Sequence, residues 1–375
     1  MDATLLTDKT FWHDPAPVAA GDFPGGIPAC KALAGHVLFE TSGSSGAPKW
    51  IALSKNALRV SAAAVNRHLD VTRDSCWGLA LPLRHVGGFG VAARAHEAGC
   101  GFASFSGRWD PCIYQKWLAE HHVTHTSLVP TQVHDLAAAA LLAPAALRAV
   151  VVGGGHLDVA TGRAARALGW PVLASYGMTE AGSQIATQEL ASLTAAYEPA
   201  PLPLLPIWHA QVEDDGRLLI AGEALFSGTL EQQDGAWVFK KLRSAWHRTG
   251  DRVRLEHGML SPLGRADSLV KVLGELVDPV EIERELLALA EGALAPGAFI
   301  VAAIPDARAG HALVPVFESS AAAAEKILAI YNAQAAGPRR LRPPVVLPSF
   351  PRSALGKPLR QQISASLVES RISPP

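Results

Sequence analysis

The sequence is poor in cysteine and has no excess of either charge. Its four cysteines show no Cys-x-x-Cys spacing, and a disulfide framework is not expected in a chain of 375 residues. Lysine and arginine together (33) nearly balance aspartate and glutamate (34), so no net field favours nucleic acid or an anionic membrane. We therefore expect neither of these partners.

Long apolar runs are absent as well. No stretch is long enough to cross a bilayer, and the alanine-rich run at 137–145 contains a proline. The start of the sequence, M-D-A-T-L-L-T-D-K, lacks the charged segment and apolar run of a signal peptide. Apolar residues make up 49% and charged residues 18%, which is typical of a well-packed chain. We expect a soluble cytoplasmic protein without stable membrane insertion.

Short apolar runs alternate with amphipathic segments between about residues 36 and 177. This alternation predicts α/β layers with largely parallel strands and crossover helices. The predicted strands are His36–Glu40, Trp77–Leu81, Thr124–Val129, Ala149–Val152 and Val172–Ser175. The predicted helices are Lys55–Asp70, Val91–Ala98 and Val159–Leu168.

The later part of the chain has a different pattern. A proline-rich stretch at 197–208 precedes two hairpin signals, Asp214-Asp215-Gly216 and Asp234-Gly235, which predict a β-rich subdomain. A helix from Pro279, strands near 298–304 and 311–317, and a helix over 321–333 predict a small α+β domain. We predict a large α/β domain with its β-rich subdomain over residues 1–266 and the small α+β domain over 267–375.

One segment is rich in glycine and hydroxyl groups, T-S-G-S-S-G-A-P-K from Thr41 to Lys49, between two predicted strands. Glycines let such a loop fold tightly, so that backbone N–H groups converge on an anion, while the hydroxyls and the lysine add donors and charge. In the Walker A loop the lysine follows a glycine directly, whereas here Pro48 precedes it. On its own the segment also fits a flexible surface turn.

Four further segments follow this loop in a fixed order. They are S-Y-G-M-T-E from Ser175 to Glu180, Thr249-Gly250-Asp251, G-R-A-D from Gly264 to Asp267 with Lys271 and Gly274 behind it, and P-R-S-A-L-G-K from Pro351 to Lys357. In type and order the five segments resemble the motifs of the adenylate-forming superfamily, which includes acyl-CoA synthetases, peptide-synthetase adenylation domains and luciferases. Five matches in order over residues 41–357 identify the chain as a member of that superfamily.

The resemblance implies an enzyme that uses ATP and Mg²⁺ to activate a carboxylic acid as an acyl-adenylate and then passes the acyl group to coenzyme A. Displacement at an α-phosphate needs positioned cations and N–H donors more than a general base. By resemblance, Lys357 would neutralise the developing charge, Thr179 would touch the α-phosphate and Glu180 would hold Mg²⁺, a cation that prefers oxygen ligands. Asp267 would be the hinge of a mobile C-terminal domain.

The resemblance also assigns the nucleotide contacts. Tyr176 would stack on adenine, Asp251 would accept hydrogen bonds from the ribose hydroxyls, and Arg265 would contact ribose or phosphate. The full implied nucleotide-binding set is Thr41, Ser42, Gly43, Ser44, Ser45, Gly46, Lys49, Gly154, Gly155, His156, Tyr176, Gly177, Asp251, Arg265 and Lys271. Taken singly, Tyr176 also fits a buried core aromatic, and Asp251 and Lys357 also fit solvated surface charges.

Three segments resemble the o-succinylbenzoate–CoA ligase branch, which belongs to menaquinone biosynthesis. They are T-H-T-S-L-V-P-T-Q at 124–132, L-P-L-R-H-V-G-G at 81–88 and S-Q-I at 183–185. That substrate carries a second carboxylate, which needs donors in the acyl pocket. The candidate donors are Arg84, Ser183, Gln184 and Thr187, and His85 would line or gate the pocket. Arg84 also fits an outward, solvated arginine.

Two alternatives stay open. The chain could be an adenylate-forming ligase for another aryl or aliphatic acid, or a non-catalytic protein that binds a nucleotide or acyl-adenylate. Members of the superfamily carry a longer stretch before the phosphate loop, whereas forty residues precede Thr41 here. We therefore expect a reduced first subdomain and either a more open acyl site or a partner subunit, and the sequence leaves a homo-oligomer open.

Overall fold

A computed structural model describes residues 2–42, 48–353 and 356–372. The chain divides into two compact units. The first unit contains residues 1–157, 162–249 and 253–262, and the second contains 158–161, 250–252 and 263–375. None of the helices within the described ranges is long and apolar enough to cross a bilayer.

The described part of the chain forms strands and helices in the following order. The strands are β1 Val18–Ala19, β2 His36–Ser42, β3 Pro48–Ser54, β4 Cys76–Leu79, β5 Gly101–Ser104, β6 His125–Leu128, β7 Ala149–Val152, β8 Val172–Met178, β9 Ser183–Thr187, β10 Leu202–Pro203, β11 His209–Val212, β12 Arg217–Ala221, β13 Gly228–Gln233, β14 Ala236–Lys241, β15 His247–Glu256, β16 Met259–Arg265, β17 Val270–Val272, β18 Glu275–Val277, β19 Phe299–Asp306, β20 Gly310–Glu318 and β21 Val345–Leu347. The helices are α1 Lys9–His13, α2 Lys55–His68, α3 Val86–Ala98, α4 Pro111–Glu120, α5 Pro130–Ala138, α6 Val159–Ala167, α7 Pro279–Ala290, α8 Glu325–Gln334 and α9 Arg360–Ile372.

The central sheet of the first unit has six strands in the order β5-β4-β6-β7-β8-β9. The first five run parallel, and only β9 is antiparallel to its neighbour β8. Helices α3, α4, α5 and α6 connect the successive parallel strands, as crossover connections require. Because both faces are covered, β6 and β7 are buried along their whole length. The mixed α/β fold class predicted from the sequence is confirmed.

The predicted strand His36–Glu40 exists but does not belong to this parallel sheet. It lies within β2, which pairs antiparallel with β3 in a second sheet of order β1-β2-β3-β13-β14. The register joins His36 to Ser54 and Ser42 to Pro48, and only five residues separate the two strands along the chain. A tight reversal permits only antiparallel pairing, whereas the sequence prediction had grouped this strand with the parallel set.

The two hairpin signals of the β-rich subdomain are confirmed. Asp214-Asp215-Gly216 connects β11 to β12, and Asp234-Gly235 connects β13 to β14. The second hairpin pairs back with β3, through Leu230 opposite Trp50. The first belongs to a third sheet of order β10-β16-β15-β12-β11.

The second unit is built on a sheet of order β18-β17-β20-β19, to which β21 adds parallel to β20. Helices α7 and α8 pack on one face of this sheet and α9 on the other, with separate apolar cores. Helix α7 begins as predicted at Pro279, and the Asp278 side chain caps it by accepting a hydrogen bond from the Val280 N–H.

Candidate active site

The carboxyl edge of the parallel sheet gathers several of the predicted site residues. Gly154, Gly155 and His156 follow β7, and Tyr176 and Gly177 lie at the end of its neighbour β8. His85 is the residue before the first turn of α3, in the connection that follows β4. In open parallel sheets this edge is where ligands bind, because the loops after adjacent strands meet there.

Gly177 stands where no other residue fits. A Cβ atom at this position would lie 1.6 Å from the Ser183 carbonyl oxygen. The pairing of β8 with β9 is irregular between Tyr176 and Gly177, and this irregularity brings the two strands close at the motif. The glycine therefore lets the turn carrying Thr179 and Glu180 fold back tightly over the sheet edge.

Thr179 and Glu180 lie in a short 3-10 turn, Thr179–Ala181, directly after β8. The Glu180 backbone carbonyl accepts a hydrogen bond of 2.8 Å from the Phe226 N–H, which fixes the turn against the first unit. Within the described ranges no group of three or more His, Cys, Asp or Glu side chains could hold a metal ion alone. A single carboxylate fits Mg²⁺, which usually retains waters and phosphate oxygens as its other ligands.

The two ends of the phosphate loop are framed by β2 and β3. Thr41 lies opposite Lys49, and its hydroxyl donates a hydrogen bond of 3.3 Å to the Lys49 carbonyl. The predicted contacts Gly43, Ser44, Ser45 and Gly46, and the side chain of Ser42, lie outside the described residues. The sequence analysis missed Glu231 on β13, whose carboxylate lies 4.0 Å from the Lys49 ammonium. Hydrogen bonding from Lys240 comes first among the causes that lower the pKa of Glu231.

Arg94 is a buried cation in the middle of helix α3. Its side chain is 2% exposed, and its guanidinium donates to the Ser127 hydroxyl at 3.1 Å and to the Ser183 hydroxyl at 3.3 Å. The guanidinium also lies 5.1 Å from the centroid of the Trp77 ring. Its hydrogen-bond partners among the described residues are serines and not carboxylates, and desolvation lowers its pKa to about 9. The sequence analysis missed Arg94, although an arginine in the apolar stretch F-G-V-A-A-R-A was a visible signal.

The four residues predicted to hold a second carboxylate occupy different surroundings. Ser183 contacts Arg94 and has φ of 116°, a strained backbone conformation that is enriched at functional sites. Gln184 and Thr187 are buried and hydrogen-bonded to each other at 2.5 Å, and the Gln184 Nε2 has no partner among the described atoms. Arg84 is exposed, which favours the outward, solvated alternative for this residue.

In the second unit the predicted ribose and hinge residues form one ion-pair group. Arg265 donates to both carboxylate oxygens of Asp267 at 2.7 Å, and its Nη1 lies 3.4 Å from Asp251 Oδ1. A Cβ atom on Gly250 would lie 2.6 Å from the same guanidinium, so a larger residue there would displace the Arg265 side chain. Lys271 is exposed on β17.

Lys357 follows Gly356 in a loop before α9. Desolvation, and after it the positive charge of Arg360, lowers the pKa of the Lys357 ammonium. Lys357 is nevertheless exposed to solvent, so the surrounding protein atoms approach its side chain without covering it. An exposed, partly desolvated ammonium is suited to contact an anionic group of a substrate.

The family of the chain follows from comparison with known proteins. The profile of the AMP-binding enzyme family matches residues 32–230, a segment that contains the phosphate loop and the Tyr-Gly-Met-Thr-Glu motif. The chain belongs to this family. The predicted resemblance to adenylate-forming enzymes is thereby confirmed.

Curated relatives of this AMP-binding enzyme include two 2-succinylbenzoate–CoA ligases. The protein from Bacillus cereus is 28% identical over 341 residues, which cover 86% of this chain and 68% of the relative. The protein from Escherichia coli strain K12 is 31% identical over 286 residues, which cover 74% of this chain and 57% of the relative.

Solved structures with the same fold include Escherichia coli MenE with bound OSB-AMS, at 26% identity and a TM-score of 0.71 over 88% of this chain and 68% of that one. Bacillus subtilis MenE in complex with its acyl-adenylate intermediate OSB-AMP gives 25% identity and a TM-score of 0.72 over 87% and 68%. ATP-bound MatB from Rhodopseudomonas palustris gives a TM-score of 0.74 at 23% identity, over 88% of this chain and 67% of that one. Similar TM-scores for differently named enzymes show that the fold alone does not select the acid.

Proposed function

We propose that this AMP-binding enzyme converts o-succinylbenzoate to o-succinylbenzoyl-CoA through an acyl-adenylate. The curated relatives are named as ligases for this acid, and the Bacillus subtilis structure holds its adenylate. The single observation within the chain that supports this substrate is Arg94, the buried guanidinium described above. The proposed role of Arg94 depends on the positive charge of its guanidinium.

A guanidinium in a protein core normally has a carboxylate partner, because removing a charge from water without compensation costs several kcal/mol. The two serine hydroxyls on Arg94 supply dipoles and no counter-charge. An acid with a second carboxylate brings that counter-charge with it and can pair with a guanidinium through two parallel hydrogen bonds. We assign the ring carboxylate of o-succinylbenzoate to Arg94 and Ser183, while its aliphatic carboxylate reacts.

The remaining site residues act on ATP. Bound ATP with Mg²⁺ would supply the adenylyl group, and pyrophosphate would be the leaving group. Lys49 would leave Glu231 to bind the departing phosphates, and Glu180 would supply the protein ligand to the metal ion. Asp251 would accept both ribose hydroxyls, and Lys357 would stabilise the negative charge that develops between the attacking carboxylate and the α-phosphate.

The experiment that tests this proposal compares acids in a pyrophosphate-release assay with coenzyme A present. We expect o-succinylbenzoate to exceed 3-benzoylpropionate, which lacks the ring carboxylate, by on the order of 10²-fold in kcat/KM. Arg94→Met should remove most of that preference by impairing the dicarboxylate far more than the monocarboxylate. Arg67→Met, an exposed arginine of helix α2, serves as the control and should leave the preference intact.

Stability provides a second measurement on the same variant. Because Arg94→Met removes a buried charge that lacks a carboxylate partner, its thermal midpoint should match or exceed that of the wild type. Equal rates with the two acids, or a preference for a simple fatty or aryl acid, would contradict o-succinylbenzoate as the substrate and favour a ligase for another acid. If no acid causes pyrophosphate release, the alternative of a non-catalytic protein that binds a nucleotide or acyl-adenylate is favoured.

A further inference from the structure

The described residues around Lys357, 351–353 and 356–359, pair through their backbones and are here called the lysine loop. Arg352 and Pro358 form an antiparallel bridge, and the Ser353 N–H donates to the Lys357 carbonyl at 2.8 Å. The Leu359 N–H donates to the Pro351 carbonyl at 2.8 Å, which closes the base. These bonds fix Lys357 relative to the loop, but they do not fix the loop relative to the sheet beneath it.

Arg352 makes that second connection. Its guanidinium donates to the Gly356 carbonyl at 2.8 Å, one residue before Lys357, and to the Gly297 carbonyl at 3.0 Å, just before strand β19. It also forms an ion pair with the Glu318 carboxylate at the end of strand β20. One planar cation therefore joins the loop to two different segments of the second unit, through donors on two separate nitrogens of a rigid fork, whereas an ammonium has a single nitrogen.

Glu318 completes the arrangement from the strand side. Its Oε1 accepts a hydrogen bond of 2.8 Å from the Phe350 N–H, at the entrance of the lysine loop, while Oε2 pairs with Arg352. The Glu318 carboxylate thus accepts a hydrogen bond from Phe350, just before the lysine loop, and pairs with Arg352 inside it. Its pKa is lowered because these hydrogen bonds and the charge of Arg352 outweigh the desolvation that acts in the opposite direction.

The far side of the lysine loop is anchored separately. Arg360, the first residue of α9, pairs through both terminal nitrogens with Glu283 of α7, one of the bonds being 2.5 Å long. Glu283 is buried and also accepts a hydrogen bond of 2.6 Å from the Val301 N–H. The end of the loop is therefore fixed without Arg352, so loss of Arg352 should change the position of Gly356 and Lys357 without releasing α9.

We infer that Arg352 is a positioning residue for Lys357, which it serves by holding the Gly356 carbonyl against β19 and β20. The inference rests on the proposed adenylation function of Lys357. In this role Arg352 acts on the position of the Gly356 carbonyl and not on the substrate. A misplacement of about 1 Å at a reacting group can lower a rate by on the order of 10²-fold, so the loss of this support should appear in the rate of the step that uses Lys357.

The test measures the two half-reactions separately: acyl-adenylate formation by pyrophosphate release, and thioester formation from supplied acyl-adenylate and coenzyme A. Arg352→Met should lower kcat of the first by on the order of 10-fold to 10²-fold, while KM for ATP and the second half-reaction stay within about threefold. Arg352→Lys keeps the charge near Glu318 but cannot reach all three acceptors, so it should recover only part of the rate. The kcat of Glu318→Gln for acyl-adenylate formation should lie between those of Arg352→Lys and the wild type.

Arg339→Met is the matched control. Arg339 lies in the same unit, and its side chain is 32% exposed against 30% for Arg352. Among the described residues its ion pairs are with Glu281 and Glu285, and none is with the lysine loop. It should leave the ratio of the half-reactions unchanged. Thermal midpoints of both variants report a general loss of folding, which would lower the two half-reactions together.

The outcomes separate this inference from the proposed substrate. If the wild type prefers another acid, the same ratio is measured with that acid, and the substrate proposal alone is wrong. If Arg352→Met behaves like Arg339→Met, or loses both half-reactions in proportion, the positioning role is wrong. If Lys357→Ala leaves adenylation unaffected, or the wild type adenylates no acid, both the inference and the role of the lysine are overturned.

Discussion

Arg94 and His125 are both buried, titratable side chains of the first unit, and their charge states differ. Arg94 retains its proton under ordinary conditions, since even a pKa of about 9 leaves it charged at neutral pH. His125 is fully buried in β6, and desolvation lowers its pKa to about 4, so it is neutral at neutral pH; its Nε2 can donate to the Leu69 carbonyl at 3.2 Å, and its Nδ1 lies 2.8 Å from the Thr124 hydroxyl oxygen. In the proposed function a substrate carboxylate would balance Arg94, whereas His125 has its hydrogen-bond partners within the protein.

The neutral His125 predicts a pH dependence of stability. Desolvation lowers its pKa in the folded state to about 4, from an ordinary value of 6.5. Between these values the unfolded chain binds a proton that the folded chain does not, so the free energy of unfolding falls as pH decreases from about 6.5 towards 4 and is unaffected by this residue above that range. The loss should approach about 3 kcal/mol, since one pKa unit corresponds to about 1.4 kcal/mol.

Urea unfolding of the wild type and of His125→Gln at several pH values measures this contribution. The variant should be less stable at pH 7.5 and should lose less stability on acidification. His121→Gln is the control, because His121 is exposed at the end of α4 and should leave the slope unchanged. Parallel curves for the wild type and His125→Gln would contradict the assigned burial of a neutral imidazole.

At the scale of elements, a few buried side chains between residues 2 and 20 belong to the first unit's core. Leu6 and Trp12 are buried against α2 and α3, and the Trp12 indole stacks 5.1 Å from the ring of His96. Lys55, the first residue of α2, is 3% exposed and donates to the carbonyls of Phe11 at 2.8 Å and Asp14 at 2.7 Å. A buried ammonium thus takes the backbone of α1 as its hydrogen-bond partner.

We expect Lys55→Met to lower the free energy of unfolding by about 2–4 kcal/mol, because hydrogen bonds from a charged donor contribute about 1.5–3 kcal/mol each and the acceptors would be left without this partner. Urea unfolding measures the change. Lys9→Met, an exposed lysine on the same α1 segment, should change stability by less than about 0.5 kcal/mol. Equal effects of the two substitutions would mean that the Lys55 contacts do not hold this segment.

The predicted elements show which kinds of sequence signal carry structural information. The buried strand Ala149–Val152 was predicted with its observed bounds, because four consecutive branched or small apolar residues between polar turns suit a strand covered on both faces. The same apolar pattern in His36–Glu40 could not distinguish a parallel from an antiparallel partner, since pairing depends on where the chain goes next. The return of β13 to pair with β3, about 180 residues later along the chain, had no local signal at all.

The candidate site shows the same division. Gly177 was predicted from a motif, and the structure gives the physical reason in the Ser183 carbonyl oxygen that a Cβ would strike. Arg94 and Glu231 were missed because their significance lies in what surrounds them, and burial without a carboxylate partner is a property of the fold. Motifs predict residues that contact a common ligand, whereas the residues that discriminate between acids require the structure.

At the scale of the whole molecule, the chain consists of two compact units, and the predicted roles of Lys357 and Asp267 involve a change between two poses. Asp267 lies in the short 3-10 turn Ala266–Ser268 and is held by Arg265 through both carboxylate oxygens. That ion pair would stabilise one backbone conformation of the turn. A substitution at Asp267 therefore changes two things at once, the ion pair and the freedom of φ, and a test of the hinge must separate them.

The pair of variants Asp267→Pro and Asp267→Ala makes that separation. Both remove the carboxylate, but only proline fixes φ near −65°. If the backbone of this residue is the hinge, Asp267→Pro should retain acyl-adenylate formation to within about threefold and lose on the order of 10-fold or more in thioester formation, because one pose becomes inaccessible. Asp267→Ala should retain about the same fraction of the wild-type rate in both half-reactions. Stopped assays of the two half-reactions provide the measurement. A loss of thioester formation that is equal in the two variants would assign the effect to the Arg265 ion pair, and the hinge would then lie at another residue of the 263–268 segment or beyond it.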